Sequence, residues 1–159
     1  MKKNKNDYSI SVYAIIKKGG RVLLTEDHYR HGWKLPGGGV QPKELLLDAL
    51  VRETKEEVGF NIKPTSLIYI SNWFNKEKGE VRLRIYFIAK IKSGVIKFHD
   101  GEVKEAKWFT KRQLKSLKEK DFLFPHHYFV AVQSYLKCKE ANIIVKKDAK
   151  NRYNLFITN

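Results

Sequence analysis

Residues 36–60 read Pro36-Gly37-Gly38-Gly39-Val40-Gln41-Pro42-Lys43-Glu44-Leu45-Leu46-Leu47-Asp48-Ala49-Leu50-Val51-Arg52-Glu53-Thr54-Lys55-Glu56-Glu57-Val58-Gly59-Phe60, a glycine run feeding a stretch of helix formers. From about Lys43 to Val58 there is no interior Gly or Pro, Pro42 stands where a first-turn proline is tolerated, and Gly59 follows as a stop. These signals predict a helix over that range. On it Glu53, Glu56 and Glu57 lie three and four residues apart, so their carboxylates share one face. Three like charges repel, and Arg52 and Lys55 stand close enough to offset them. Taken alone, such a cluster reads as a solvated helix face. The glycines in front of it change the reading, because backbone without side chains can approach a phosphate or present a carbonyl oxygen to a metal.

Working outward, YSISVYAIIK (Tyr8 to Lys17) and RVLLTE (Arg21 to Glu26) are rich in β-branched and apolar residues and flank Lys18-Gly19-Gly20, the pattern of two strands around a tight turn. After Pro64, strands are expected at Leu67 to Phe74 and Glu80 to Ile91, with the turn at Lys76 to Gly79. In the second of these Val81, Leu83, Ile85 and Phe87 alternate with Arg82, Arg84, Tyr86 and Ile88. A short strand at Val95 to Phe98, another at Ala106 to Phe109, and helices at Lys111 to Leu117 and His126 to Lys137 complete the expected order. Two apolar runs, Ile143 to Val145 and Tyr153 to Ile157, suggest a closing hairpin. The alternation of strands and helices permits an α/β fold. It divides the chain into a main domain over 1–140 and an extension over 141–159, a hairpin packed on that domain.

The 159 residues are 42% hydrophobic and 13% aromatic, enough for one domain with a core and too apolar for a disordered basic tail. Thirty-two Lys and Arg against 17 Asp and Glu give a net charge of +15, which attracts polyphosphates, nucleic acid or acidic lipid. Lys2, Lys3, Lys5, Lys17, Lys18, Lys146 and Lys147 lie at ends and turns, so a lysine-rich composition is the simpler source of that charge. The single Cys138 excludes an intrachain disulfide and a multi-cysteine zinc site. The apolar stretch Val12 to Ile16 is short of the roughly 7 to 15 residues of a signal sequence, and no run approaches the roughly 18 of a membrane span. A cytoplasmic protein with no membrane partner is expected.

Gly38, five residues, Glu44, seven residues, then Arg52-Glu53-Thr54-Lys55-Glu56-Glu57-Val58-Gly59-Phe60 resembles the Nudix hydrolase (MutT-like) signature G-x5-E-x7-R-E-U-x-E-E-x-G-U, with U a bulky aliphatic residue. Every fixed Gly, Glu and Arg is present at its spacing, while Thr54 and Phe60 occupy U positions. Trp33-x-Leu35-Pro36-Gly37-Gly38 before it and Glu102-x-x-Glu105-x-x-Trp108-Phe109 after it look like the family's flanking pattern. The resemblance covers roughly Tyr8 to Lys137. It implies the Nudix fold, a mixed β-sheet sandwiched between α-helices. It also implies Mg²⁺-dependent hydrolysis, with Mn²⁺ as a substitute, of a phosphoanhydride in a nucleoside diphosphate-linked substrate. Carboxylate oxygens suit such hard ions.

Carried over by motif position, the Nudix resemblance implies that Glu53, Glu56 and Glu57 are metal ligands together with the carbonyl of Gly37. Glu53, or a distal glutamate for which Glu102 is preferred to Glu105, would position or deprotonate the attacking water. Arg52 would orient the glutamates. Glu44 is expected to be an orienting residue on the side of the helix opposite Glu53, about nine helical positions away. For substrate, Gly38 borders the phosphates, Arg82, Arg84 and Tyr86 share one strand face suited to phosphate and base contacts, and Trp33, Trp73 and Phe74 are stacking candidates. His126 and His127 read as loop surface. The favoured reaction takes a (deoxy)nucleoside triphosphate to monophosphate and pyrophosphate. An RNA 5′-pyrophosphohydrolase or a nucleotide-sugar or ADP-ribose pyrophosphatase are alternatives. From another class stands a non-catalytic module binding nucleotide or RNA, against which the intact acidic set argues. The apolar C-terminal runs offer strand pairing in a homodimer.

Overall fold

The computed structural model describes residues 8–98, 101–128 and 130–131, with the backbone of 142–147 and 153–158. Its axis is β1 (Tyr8–Lys18), whose period-two alternation sends Val12, Ala14 and Ile16 to one buried cluster and Tyr13 and Ile15 to another. Along its first half β1 pairs antiparallel with β4 (Gly37–Gly39) and parallel with β6 (Glu80–Gly94), and β6 pairs antiparallel with β5 (Phe60–Asn75). At its end Lys17 and Lys18 turn back through Gly19-Gly20 into β2 (Arg21–Asp27), which carries β3 (Trp33–Lys34) and β7 (Val103–Thr110). The result is a mixed seven-stranded sheet.

One face is covered by α1 (Leu46–Val58), which inserts Leu47, Leu50 and Val58 against Val12, Ile16, Ile85 and Phe87. The opposite face is covered by α2 (Lys111–Ser116) and α3 (Pro125–Tyr128), where Leu114, Phe122, Val130 and Ala131 meet Ile15, Leu24, Tyr86 and Ile88. The sheet is thus sandwiched between helices. Leu50 is fully buried, and its truncation to Ala is expected to cost about 2–5 kcal/mol.

Several boundaries differ from the sequence reading, each for a local reason. The helix starts at Leu46 rather than Lys43, because Lys43 adopts φ 67° and the Glu44 N–H closes a turn on the Gln41 carbonyl at 3.1 Å. The glycine loop is therefore longer and Glu44 lies before the helix. β5 begins at Phe60, with Pro64 inside it; this is the edge strand, and the register shifts between Pro64 and Ser66, where a residue without an N–H is tolerated. Val95 to Phe98 is not a strand: it runs irregularly across the end of α1, with the Lys97 N–H donating to the Val58 carbonyl at 3.2 Å. β7 starts three residues earlier than expected, at Val103.

Of the helix expected at His126 to Lys137, α3 is the described beginning, and residues 132–137 lie outside the described residues. The C-terminal hairpin is present as β8 (Asn142–Lys147) and β9 (Tyr153–Thr158), antiparallel with Ile143 opposite Ile157 and Val145 opposite Leu155. Among the described residues no helix is long and apolar enough to cross a membrane.

Candidate active site

The loop Leu35 to Glu44 and the exposed flank of α1 meet through contacts that need glycine. Gly37 has φ 133°, and a Cβ there would lie 2.7 Å from the Tyr13 Cα, so no other residue fits between β4 and β1. A Cβ on Gly38 would lie 2.6 Å from Cδ of Glu53, so the bare backbone at Gly38 is a cradle for that carboxylate. The Gly37 N–H donates to Glu57 Oε2 at 2.9 Å, and the Lys34 ammonium bonds Glu57 Oε1. Glu57 and Lys34 are 1% and 5% exposed, a buried pair in the middle of the site. Burial pushes the Glu57 carboxyl up to about 7, against the pull of Lys34 and the Gly37 N–H. Lys34 itself stays charged, because Glu57 outweighs the burial that opposes its charge.

Arg52 organises the other carboxylates. Its Nε and Nη2 donate to Glu44 at 2.7 and 2.9 Å, a bidentate pair, while Nη1 donates to Glu53 at 2.8 Å and to Glu56 at 2.9 Å. Nη2 also reaches the Gly39 carbonyl at 3.0 Å. The placing of Glu44 opposite Glu53 is corrected here: released from the helix, Glu44 shares one guanidinium with Glu53. The hydrogen bonds from Arg52 hold the Glu44 carboxyl below the usual carboxylate range, whereas burial raises Glu53 despite Arg52. Thr54, in place of an aliphatic residue, is fully buried with its hydroxyl donating to the Leu50 carbonyl at 2.7 Å, so the polar atom is satisfied within the helix.

Among the described residues no three carboxylates converge as a ready metal cluster; their oxygens are engaged by Arg52, Lys34 and the Gly37 amide. The donor set nonetheless fits Mg²⁺ or Mn²⁺, since it is all carboxylate oxygen and the Gly38 cradle keeps Glu53 against the backbone.

On the opposite face of the sheet, Arg84 and Tyr86 of β6 enter an aromatic pocket. The Arg84 guanidinium lies 4.2 Å from the ring centre of Phe124 and 4.6 Å from that of Trp73, and the side chain is 6% exposed. Among the described residues no carboxylate forms an ion pair with it. His127, fully buried, packs edge-on to Tyr13 at 4.3 Å. Its Nδ1 accepts the Leu35 N–H at 2.9 Å, and burial holds the ring neutral, so Nε2 carries the proton. That Nε2–H, the Tyr86 hydroxyl and the Ser71 hydroxyl have no hydrogen-bond partner among the described residues.

The remaining candidates have other surroundings. Arg82 is bonded to Glu80 at 2.9 Å on the same strand. Trp33 packs edge-on to Phe109, at 4.8 Å between ring centres. Glu102 and Glu105 are exposed on β7 and its approach, where the Glu102 carbonyl accepts the His28 N–H at 2.7 Å. Two residues escaped the sequence reading. His127 is core rather than loop surface, and only its place beside Pro125, at a helix start, hinted at it. Lys34 carries no signal of burial in the sequence.

The family model described as NUDIX domain matches residues 5–131. The human 8-oxo-dGDP phosphatase NUDT18 is 29% identical over 126 residues, 75% of this chain and 38% of that protein. The ADP-ribose pyrophosphatase of Methanocaldococcus jannaschii is 31% identical over 112 residues, 69% of this chain and 66% of that protein. The chain thus spans from about two fifths to two thirds of the length of these relatives. A solved NUDIX hydrolase from Nitrosomonas europaea shares the fold, with a TM-score of 0.70 at 24% identity over 84% of this chain and 92% of that one. With the glycine cradle, the glutamate helix and the mixed sheet matched together, the chain belongs to the Nudix hydrolase family.

Proposed function

We propose that this chain is a divalent-metal-dependent pyrophosphohydrolase that cleaves a (deoxy)nucleoside triphosphate to monophosphate and pyrophosphate. The observation carrying the reading is the seating of Glu53 on bare Gly38 backbone while Glu57 takes the Gly37 N–H, which aligns the acidic helix with a phosphate-sized glycine loop. Glu53, Glu56, Glu57 and the Gly37 carbonyl would hold Mg²⁺, which when bound neutralises phosphate charge and acidifies water. Glu53 is the group best suited to take the proton of the attacking water, because burial raises its proton affinity and Arg52 keeps it oriented, whereas both oxygens of Glu57 are engaged by Lys34 and the Gly37 N–H. Arg52, itself oriented by Glu44, spaces Glu53 from Glu56.

The Arg84, His127 and Tyr86 group supports placing the base in the aromatic pocket, which Tyr13 and Lys34 join to the glutamates. It offers donors and no carboxylate, which suits a base that presents a carbonyl oxygen, as guanine does at O6, over the 6-amino group of adenine. The similarity to an 8-oxo-dGDP phosphatase accords with this. A panel assay tests the reading: release of pyrophosphate or phosphate from GTP, ITP, ATP, ADP-ribose, a nucleotide sugar and 5′-triphosphorylated RNA, with Mg²⁺ and with Mn²⁺. Turnover of GTP and ITP above ATP, lost in Glu57→Gln, is the expected result. ADP-ribose as the sole substrate would overturn the triphosphate assignment. The second reading, an RNA 5′ end, rests on the net charge of +15 and requires turnover that falls steeply with salt.

A further inference from the structure

Lys34 lies outside the fixed positions of the glutamate motif, yet its ammonium bonds the most deeply buried carboxylate of that motif. With Lys34 on Oε1 and the Gly37 N–H on Oε2, both oxygens of Glu57 already accept from the protein's own donors. The burial of the pair is what makes it matter: an ammonium or a carboxylate alone at this depth is costly, and each is tolerated because of the other. Lys34 also acts electrostatically on Glu53, Tyr13 and His127, which places its charge between the glutamate helix and the aromatic pocket.

We propose that Lys34 is a resident counter-cation for Glu57 which a divalent ion must replace, so that this lysine sets the metal affinity of the glutamate face. The inference rests on the metal-binding reading above. A divalent ion arriving at Glu57 meets a positive charge held a few ångströms away in a poorly solvated interior, where repulsion is weakly screened. Removing that charge removes the repulsion and leaves Glu57 of the metal-free protein without its counter-cation, so the comparison is made at a pH high enough to keep that carboxyl ionised. Lys34 is a positioning residue in this account, and the readout lies in metal binding rather than in turnover.

The test is Mn²⁺ binding to substrate-free protein, followed by calorimetry or by the loss of the free-ion electron paramagnetic resonance signal. Lys34→Met should bind Mn²⁺ at least about tenfold more tightly than wild type. Its metal-free form should melt at a lower temperature and gain more from added Mn²⁺. Wild-type protein supplies a second measurement that needs no variant to fold: the NMR signal of the Lys34 ammonium, protected by burial, should shift on Mg²⁺ addition with the midpoint of metal binding. Unchanged or weaker Mn²⁺ affinity in folded Lys34→Met, or an ammonium signal indifferent to Mg²⁺ that Glu57→Gln no longer binds, overturns the role of Lys34 alone. Absence of Mn²⁺ binding in wild type and variant alike overturns the metal reading with it.

Discussion

The two faces of the sheet handle charge in opposite ways. On the α1 face the anions are matched: Arg52 serves Glu44, Glu53 and Glu56, and Lys34 serves Glu57. On the α3 face the Arg84 guanidinium lies against the rings of Trp73 and Phe124 with no carboxylate paired to it among the described residues, and His127 Nε2–H stands without an acceptor there. On the α1 face four carboxylates share two cations, so that face keeps a net negative charge that a divalent ion can take up. An unmatched set of donors gains most from a ligand that brings acceptors, because buried donors without partners are destabilising. The proposed metal site and the proposed base pocket divide along this difference.

Replacing the proposed base tests the matched face most severely. Glu53→Gln should lower kcat by about 10²–10⁴-fold with KM nearly kept, the range of a lost general base. Kinetics that fall only a few-fold would leave Glu53 as a ligand and move the proton transfer elsewhere.

Gly38→Ala challenges the cradle, since the new Cβ collides with the carboxylate of Glu53. Mn²⁺ affinity and kcat should each drop by about 10–100-fold, the scale of a disturbed ligand environment, while circular dichroism stays unchanged. Undisturbed metal affinity would mean that the loop and helix separate easily.

Arg84→Met probes the unmatched face. KM for GTP should rise about tenfold through loss of a charged hydrogen bond, with kcat kept, and the melting temperature should hold or rise because a buried cation without a counter-ion has gone. A lower melting temperature with unchanged KM would make Arg84 a packing residue.

The smallest effect concerns pH. Burial holds His127 neutral in the folded chain, whereas in the unfolded chain it takes up a proton below its ordinary 6.5. The unfolded state therefore binds more protons as pH falls, and this group's contribution is complete above 6.5 and lost below it, by about 1.4 kcal/mol per pH unit. Urea melts between pH 5 and 8 should show that slope in wild type and a flatter one in His127→Phe. Equal slopes would assign the acid sensitivity to other groups.

Much of this was legible along the chain. The strand β6 announces itself by alternation, and β1 and β2 by β-branched and apolar runs, since they bury residues on both faces of the sheet. The helix that carries Glu53, Glu56 and Glu57 is readable from spacing, because 3.6 residues per turn stacks those positions. Boundaries were less legible: Lys43 breaks the helix start through a positive φ that composition does not reveal, and Pro64 sits in an edge strand through a register shift.

By itself the sequence determined the fold class, the acidic face and the glycine loop, since each follows from residues near in the chain and governed by local periodicity. The tertiary structure alone decided that Glu44 shares Arg52 with Glu53, that Lys34 is buried against Glu57, and that His127 joins α3 to the loop at Leu35. Those three links span 8, 23 and 92 residues. Whether a distant cation or imidazole reaches its partner depends on how the sheet places them in space, and no period along the chain encodes that.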